Sequence, residues 1–286
     1  MDTVHGFLLE DLDIRGALVQ LGPSWAAMAG RRGYAAPVRN RLGELAAVTA
    51  LIGSNLKTPG RLSFQLQGHG PVSMLVMDCN EQLHLRGMAK SVLDPDAEAS
   101  IASVGDLLGD GRLVLTLQPK TAQTPYQSVV PIAGATLAAI FEHYLAQSEQ
   151  QPARLWLAAT TDTACGLFLQ KLPNADVRDP DGWNRIEQLA ATVHAEELAL
   201  PPETLLTRLF STENVRLYAP RQAAWHCPRD EEKVRNMLLS LGRDELESML
   251  ADAEMIAIED EICGHEYRFG PEIVDELFPP EGRILH

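Results

Sequence analysis

Two short segments near the C-terminal end hold the residues best suited to chemistry, Trp225-His226-Cys227 and Cys263-Gly264-His265. Their cysteines stand 36 residues apart. Thiolate and imidazole suit the tetrahedral preference of zinc, so spacing alone allows a site of His226, Cys227, Cys263 and His265. Adjacent His226 and Cys227 are awkward ligands for one ion, because neighbouring side chains diverge. A reversible Cys227–Cys263 disulfide and a pair of unlinked thiols are the other two readings. A thiol redox enzyme would need a low-pKa thiolate at Cys227 or Cys263. The acidic neighbours Glu259, Asp260, Glu261 and Glu266 count against that, since negative charge raises a thiol pKa.

The other reactive side chains read as structural. Cys79 and Cys165 end apolar segments, where free cysteine behaves as a small buried hydrophobe. His84 and His143 are isolated. Gly68-His69-Gly70-Pro71 joins two expected strands and reads as a turn, because phosphate loops normally open a helix. Glu259-Asp260-Glu261 reads as a solvated hairpin face rather than a cation site. No Walker loop, dinucleotide fingerprint or nucleophile elbow is present. No residue is expected to do bond chemistry.

Composition narrows the partners. The chain has 286 residues, 39 acids and 24 bases, for a formal charge of −15. That balance argues against nucleic acid and anionic membrane surfaces, which need clustered Lys and Arg. The most apolar helical run, Leu45 to Leu56, falls well short of the ~20 residues of a membrane span. The N-terminal residues are acidic rather than basic, so no signal peptide is read and the expected address is the cytosol. There, four scattered cysteines are expected to be mostly thiols.

The elements that must position these residues fall into three pieces. Residues 1–176 read as a mixed α and β core. Alternating or apolar runs at Arg61–Gln67, Val72–Met77, Leu83–Leu85, Leu113–Leu117, Tyr126–Ile132, Arg154–Ala159 and Leu167–Leu172 are strand candidates. Val38, Leu42, Leu45, Thr49, Ile52 and Leu56 share one helical face, and Leu137, Phe141, Tyr144 and Leu145 another. Strands clustered between helices favour an α+β fold with a largely antiparallel sheet.

Breaker residues from Pro173 to Gly182 open a second piece, 177–224, that reads as a helical linker. Ile186, Leu189, Ala190 and Val193 share one face; Pro201-Pro202 open a helix bearing Leu205, Leu206, Leu209 and Phe210. So short an amphipathic linker cannot bury its stripe alone. It must dock on something, and undocking would expose it.

The third piece, 225–286, carries 16 acids and 6 bases. It reads as helix, helix, hairpin, helix, with Asp244 capping the second helix and Cys263-Gly264-His265 at the hairpin turn. An acidic module that binds a basic partner is one reading of that charge.

In order and spacing the chain resembles the redox-regulated 33-kDa heat-shock holdase family. The likeness rests on Arg15-Gly16-Ala17-Leu18-Val19-Gln20-Leu21, Gly68-His69-Gly70-Pro71, Arg86-Gly87-Met88-Ala89, Tyr126-Gln127-Ser128-Val129-Val130 and Glu142-His143-Tyr144. It continues through Ser148-Glu149-Gln150-Gln151-Pro152, Cys227-Pro228-Arg229 and Cys263-Gly264 with Tyr267 and Phe269. The resemblance implies an α+β core, a helical linker and a small C-terminal zinc domain in an ATP-independent chaperone that acts in the stress response. It implies that oxidation releases zinc, unfolds that domain and the linker, and exposes a surface for unfolding clients, often in a homodimer. With the linker stripe read above, the client-binding candidates are Ile186, Leu189, Val193, Leu205, Leu206, Leu209 and Phe210.

The family's zinc pattern is Cys-x-Cys with Cys-x-x-Cys. Here Trp225 stands at the first cysteine and Asp260 at the third, leaving Cys227 and Cys263. Neither close pair can form its disulfide, and the four-thiolate site is gone. The expectation is therefore a holdase with weakened or lost thiol–zinc switching and no resident cofactor. Trp225 is expected to bury apolar area on the hairpin in place of the metal.

Overall fold

The computed structural model describes residues 2–279 except 57, 97–102, 123 and 133. By contacts the chain divides into two units, Met1–His226 and Cys227–His286. The first begins with β1 (Thr3–Leu9), β2 (Ile14–Leu21), α1 (Pro23–Ala29), α2 (Ala36–Ser54), β3 (Gly60–Gly68), β4 (Val72–Asn80) and β5 (His84–Ser91). It continues with α3 (Val104–Leu108), β6 (Gly111–Pro119), β7 (Tyr126–Pro131), α4 (Leu137–Glu149), β8 (Ala153–Ala159) and β9 (Ala164–Lys171). The linker region adds α5 (Ala175–Arg178), α6 (Gly182–Ala190), a 3-10 turn at Ala195–Ala199, α7 (Pro202–Leu209), β10 (Val215–Leu217), β11 (Arg221–Gln222) and β12 (Ala224–Trp225).

These strands form two sheets. One runs β10-β1-β2-β9-β8, with β11 also on β1; the other runs β12-β5-β4-β3-β6-β7. All pairings are antiparallel except β12 with β5. The fold is therefore α+β with largely antiparallel sheets, as the clustering of strands predicts.

Between the sheets lies α2. The spacing of three and four predicts one apolar face, but Leu42, Leu45, Ala46, Ala47, Val48, Ala50 and Leu51 are all buried. A helix apolar on every side is a core helix. Small residues let it approach both sheets. A Cβ on Gly43 would come within 2.5 Å of Ala159 Cβ, and one on Gly53 within 2.9 Å of Cys79 Sγ. Leu56 of the expected face lies beyond the helix end at Ser54.

The turn at Gly68-His69-Gly70-Pro71 joins β3 to β4, as expected. His69 N and Gly70 N both donate to Leu108 O at the end of α3. A Cβ at Gly68 would fall 2.1 Å from that oxygen, so glycine is required there. The first two strands, β1 and β2, carry no run that the alternation rule picks out. The linker is less helical than expected, since β10 and β11 add to the edge of β1.

The second unit comprises α8 (Glu231–Leu241), α9 (Arg243–Asp252), β13 (Ile256–Asp260), β14 (His265–Phe269) and α10 (Glu272–Leu277). Its core is Leu238, Leu246, Ile256, Tyr267, Phe269, Ile273 and Val274. Gly242, at φ +91°, caps α9, while Asp244 sits in its first turn. The positive φ lets the chain reverse between α8 and α9, which an Asp two residues later cannot do.

Candidate functional site

Cys227 precedes α8, and Cys263 sits in the turn between β13 and β14. The structure joins them as a disulfide, with Cα atoms 5.9 Å apart. That separation is ordinary for the bond. Hairpin geometry brings this about: Asp260 faces His265 across the register, and Gly264 takes the left-handed φ of +64° that the turn needs. Asp260 Oδ1 accepts from the N–H groups of Ile262 (3.0 Å) and Cys263 (3.2 Å), which holds the turn shut. Cys263 is 4% exposed.

Around the link, the segment after Cys227 is stitched to β14. His265 Nε2 lies 2.7 Å from Cys227 O, the distance of a ring N–H donating to that carbonyl. Asp230 N donates to Tyr267 Oη at 2.8 Å, and the Arg229 guanidinium sits 4.8 Å from the Tyr267 ring centroid. Such cation–π contacts are modest at exposed sites.

Cys227, Cys263 and His265 place their ligand atoms within 4.8 Å of one another. His226, the fourth ligand of the expected set, is not in that group. His226 belongs to the first unit, where its ring stacks on His84 at 4.4 Å and its N–H donates to Leu85 O. The alternation of β12 along β5 turns His226 that way. Three donors, one of them an imidazole whose Nε2 is engaged by a carbonyl, do not fit the four-thiolate zinc site of the resemblance. Asp260 is not in that group either; its Oδ1 accepts from the turn N–H groups. No cofactor is assigned.

Trp225 is also displaced from its expected place. It pairs with Leu85 on β5, its N–H donates to Ser24 Oγ (2.9 Å), and Arg31 lies 5.3 Å from its ring. It packs on the large core of the first unit. Pairing of Ala224-Trp225 with β5 determines this, so its apolar area supports the core of the first unit.

The linker stripe lies on the outer face of the sheet containing β1, β2 and β9. Ile186, Leu205, Leu206, Leu209 and Phe210 are buried there against Phe7, Leu9, Ile14, Leu18, Leu167 and Leu169; Leu189 and Val193 are half-buried against the same cluster. Phe7 and Phe210 rings meet at 6.2 Å. Polar contacts hold the linker as well. Gln20 Nε2 donates to Leu198 O (2.8 Å) and Leu200 O (2.5 Å), and Arg154 Nε pairs with Glu187 at 2.5 Å. Sequence reasoning found the stripe but not its seat. The signal was present as Phe7, Leu9, Ile14 and Leu18, on two strands whose other face is equally apolar.

Burial decides the remaining thiols. It pushes Cys79 up to about 12 and Cys165 up to about 11, so both stay protonated and inert at neutral pH.

An α+β core carrying its own amphipathic linker, followed in sequence by a small cysteine-bearing helix-and-hairpin unit, defines the class of protein. The family model described as Hsp33 protein matches residues 2–270. A 33 kDa chaperonin of Methylobacillus flagellatus is 38% identical over 283 residues, covering 98% of this chain and 95% of the relative. One of Vibrio cholerae is 37% identical and covers 100% and 99%. The crystal structure of a 33 kDa chaperonin from Thermotoga maritima superposes with a TM-score of 0.82 at 21% identity, over 96% of this chain and 97% of that one. The chain belongs to the Hsp33 family.

Proposed function

We propose that this chain is an ATP-independent holdase that binds unfolding proteins through surfaces exposed when its linker undocks. One observation carries the reading: the linker stripe from Ile186 to Phe210 is seated on an outer sheet face as apolar as itself. Undocking exposes two complementary apolar faces in one step, which is the surface a non-specific binder of unfolded chains needs. The names of the relatives and the family support the same reading. Clients are bound without bond chemistry, and the working form is a cytoplasmic protein, monomeric or homodimeric. The −15 charge favours neither nucleic acid nor membrane as partner.

Thiol–zinc switching is weakened or lost in this reading, because the donor set stops at three. Cys227 and Cys263 form the remaining redox element. Cys263 is buried, which favours a regulatory or structural link over a thiol that turns over.

Light scattering from a thermally unfolding client tests the proposal, with the protein held in excess reductant and chelator and then, separately, oxidised. Suppression on warming in reductant and chelator is expected. Absence of suppression in both states overturns the holdase reading.

A further inference from the structure

We propose that the first unit binds a short apolar carboxylate, of the medium-chain fatty acid kind, in a cavity capped by Arg15 and Gln170. This inference is independent of the holdase reading. The cavity measures about 240 Å³. Its walls are Leu51, Ile52, Leu56, Leu117, Leu145 and Phe168, an apolar lining supplied by α2 and the residues after it, α4 and two strands.

At its rim stand two polar side chains. Arg15 and Gln170 are direct cross-strand partners on β2 and β9, so both project from the same face of the sheet. Arg15 Nε donates to Gln170 Oε1 at 2.7 Å, which also settles the orientation of the amide. That bond uses one of the five guanidinium N–H groups. No carboxylate among the described residues pairs with Arg15, although the chain carries an excess of acids. Gln170 is 2% exposed, and its Nε2 has no hydrogen-bond partner among the described residues. The cavity rim thus offers the guanidinium Nη groups and an amide NH2, all donors.

Across the rim, Asn55 and Thr58 also line the cavity, and among the described residues neither side chain is bonded to Arg15 or Gln170. Asn55 Nδ2 donates to Leu51 O and Asn55 N to Ile52 O, so those carbonyls at the end of α2 are already occupied. A guanidinium with no carboxylate partner and an unbonded amide NH2 beside an apolar cavity fit a carboxylate with a hydrocarbon tail. A guanidinium takes a carboxylate with two parallel bonds. The cavity is smaller than the ~300–1,000 Å³ of drug-sized sites, which restricts the tail to roughly six to eight carbons.

The experiment is calorimetric titration of the full chain with sodium octanoate at pH 7.5, beside octan-1-ol and hexanoate. One saturable octanoate site is expected, at least tenfold tighter than octanol, because the charge-assisted bonds are lost with the alcohol. Each methylene removed is expected to cost about fourfold in affinity. Arg15→Met, which keeps the aliphatic stem, is expected to bring octanoate to the octanol level. Arg15→Lys is expected to retain part of the preference. No saturable octanoate binding overturns the proposal. So does an octanol affinity equal to that of octanoate in the unmutated chain, a comparison that needs no variant to fold. Binding unchanged in Arg15→Met places the tail elsewhere on the apolar surface and overturns it as well.

Discussion

In the first unit, α2 is enclosed by two sheets, and a second apolar layer seats the linker on the outer face of one of them. In the second unit, seven buried side chains and one covalent link between Cys227 and Cys263 do the same work. A core that small contributes only a few kcal/mol against the entropy of ordering the chain, so short domains depend on a staple. The difference teaches where a redox change can act. Breaking one covalent link is a large perturbation to the second unit. The first unit has no such bond among its described residues, and its two cysteines are buried thiols.

The largest expected effect follows from that contrast. The link closes a loop with a sequence separation of 36. The chain-entropy model gives about 4 kcal/mol for a loop of that length, comparable with the whole stability of so small a unit. Dithiothreitol, or Cys227→Ala with Cys263→Ala, is therefore expected to loosen the second unit and leave the first folded. The response has the opposite sign to that implied by the family likeness, in which oxidation unfolds the C-terminal domain. Amide exchange of residues 227–279 with and without reductant reads it directly. Equal protection in the two states would break the comparison.

Next in size is the linker. Leu205 is 1% exposed in the seam between α7 and the outer sheet face. Leu205→Ala is expected to cost about 3 kcal/mol, from lost transfer energy and the cavity left behind. Because the seam is the proposed client surface, the variant should suppress client aggregation at a lower temperature than the parent. Limited proteolysis should cut first between residues 182 and 210. A variant with unchanged cleavage and activity would show that the linker does not open.

A smaller effect is expected from Gln20, whose amide bridges the carbonyls of Leu198 and Leu200. Gln20→Leu keeps the volume and leaves both oxygens without that donor. Such a loss costs about 1–2 kcal/mol. The variant should sharpen the comparison by loosening the linker without a core cavity, and chemical denaturation monitored at Trp183 in α6 measures it. If only the global transition moves, the linker and the core form one cooperative layer.

These three tests also mark how far the sequence is legible. The α+β class, the linker stripe and the Cys263 turn follow from periodicity and turn chemistry, which are local. What fails is decided by partners distant in sequence. Trp225 reads as a spare apolar residue near the hairpin until Ser24 and Leu85 are seen to hold it. His226 reads as a zinc ligand until His84 claims its ring. The face of α2 is under-read because alanines and glycines carry little hydrophobic signal, yet they are what permit burial on all sides. The seat of the linker is missed for a related reason. A strand apolar on both faces loses the alternation by which strands are recognised.

The smallest effect is a pH dependence confined to the first unit. Glu142 on α4 accepts the Leu155 N–H of β8 at 2.7 Å, which ties the helix to the sheet. Burial raises its pKa above 4.5, and this outweighs the Leu155 N–H and the charge of Arg154, which act in the opposite direction. A carboxyl with a raised folded-state pKa binds its proton more tightly when folded. Its contribution to stability is thus complete below pH 4.5 and is lost as the pH rises through the higher, folded value. Carboxylates held low, such as Asp179 beside Arg185, have the opposite slope. The total curve therefore mixes both signs, and the difference between the parent and Glu142→Gln isolates one group. The amide keeps an oxygen for the Leu155 N–H but cannot ionise. The variant should gain stability relative to the parent as the pH is raised from 4.5 to 7, read from the first unit's denaturation midpoint. A constant difference across that range would mean that the Leu155 bond, not burial, governs the carboxyl.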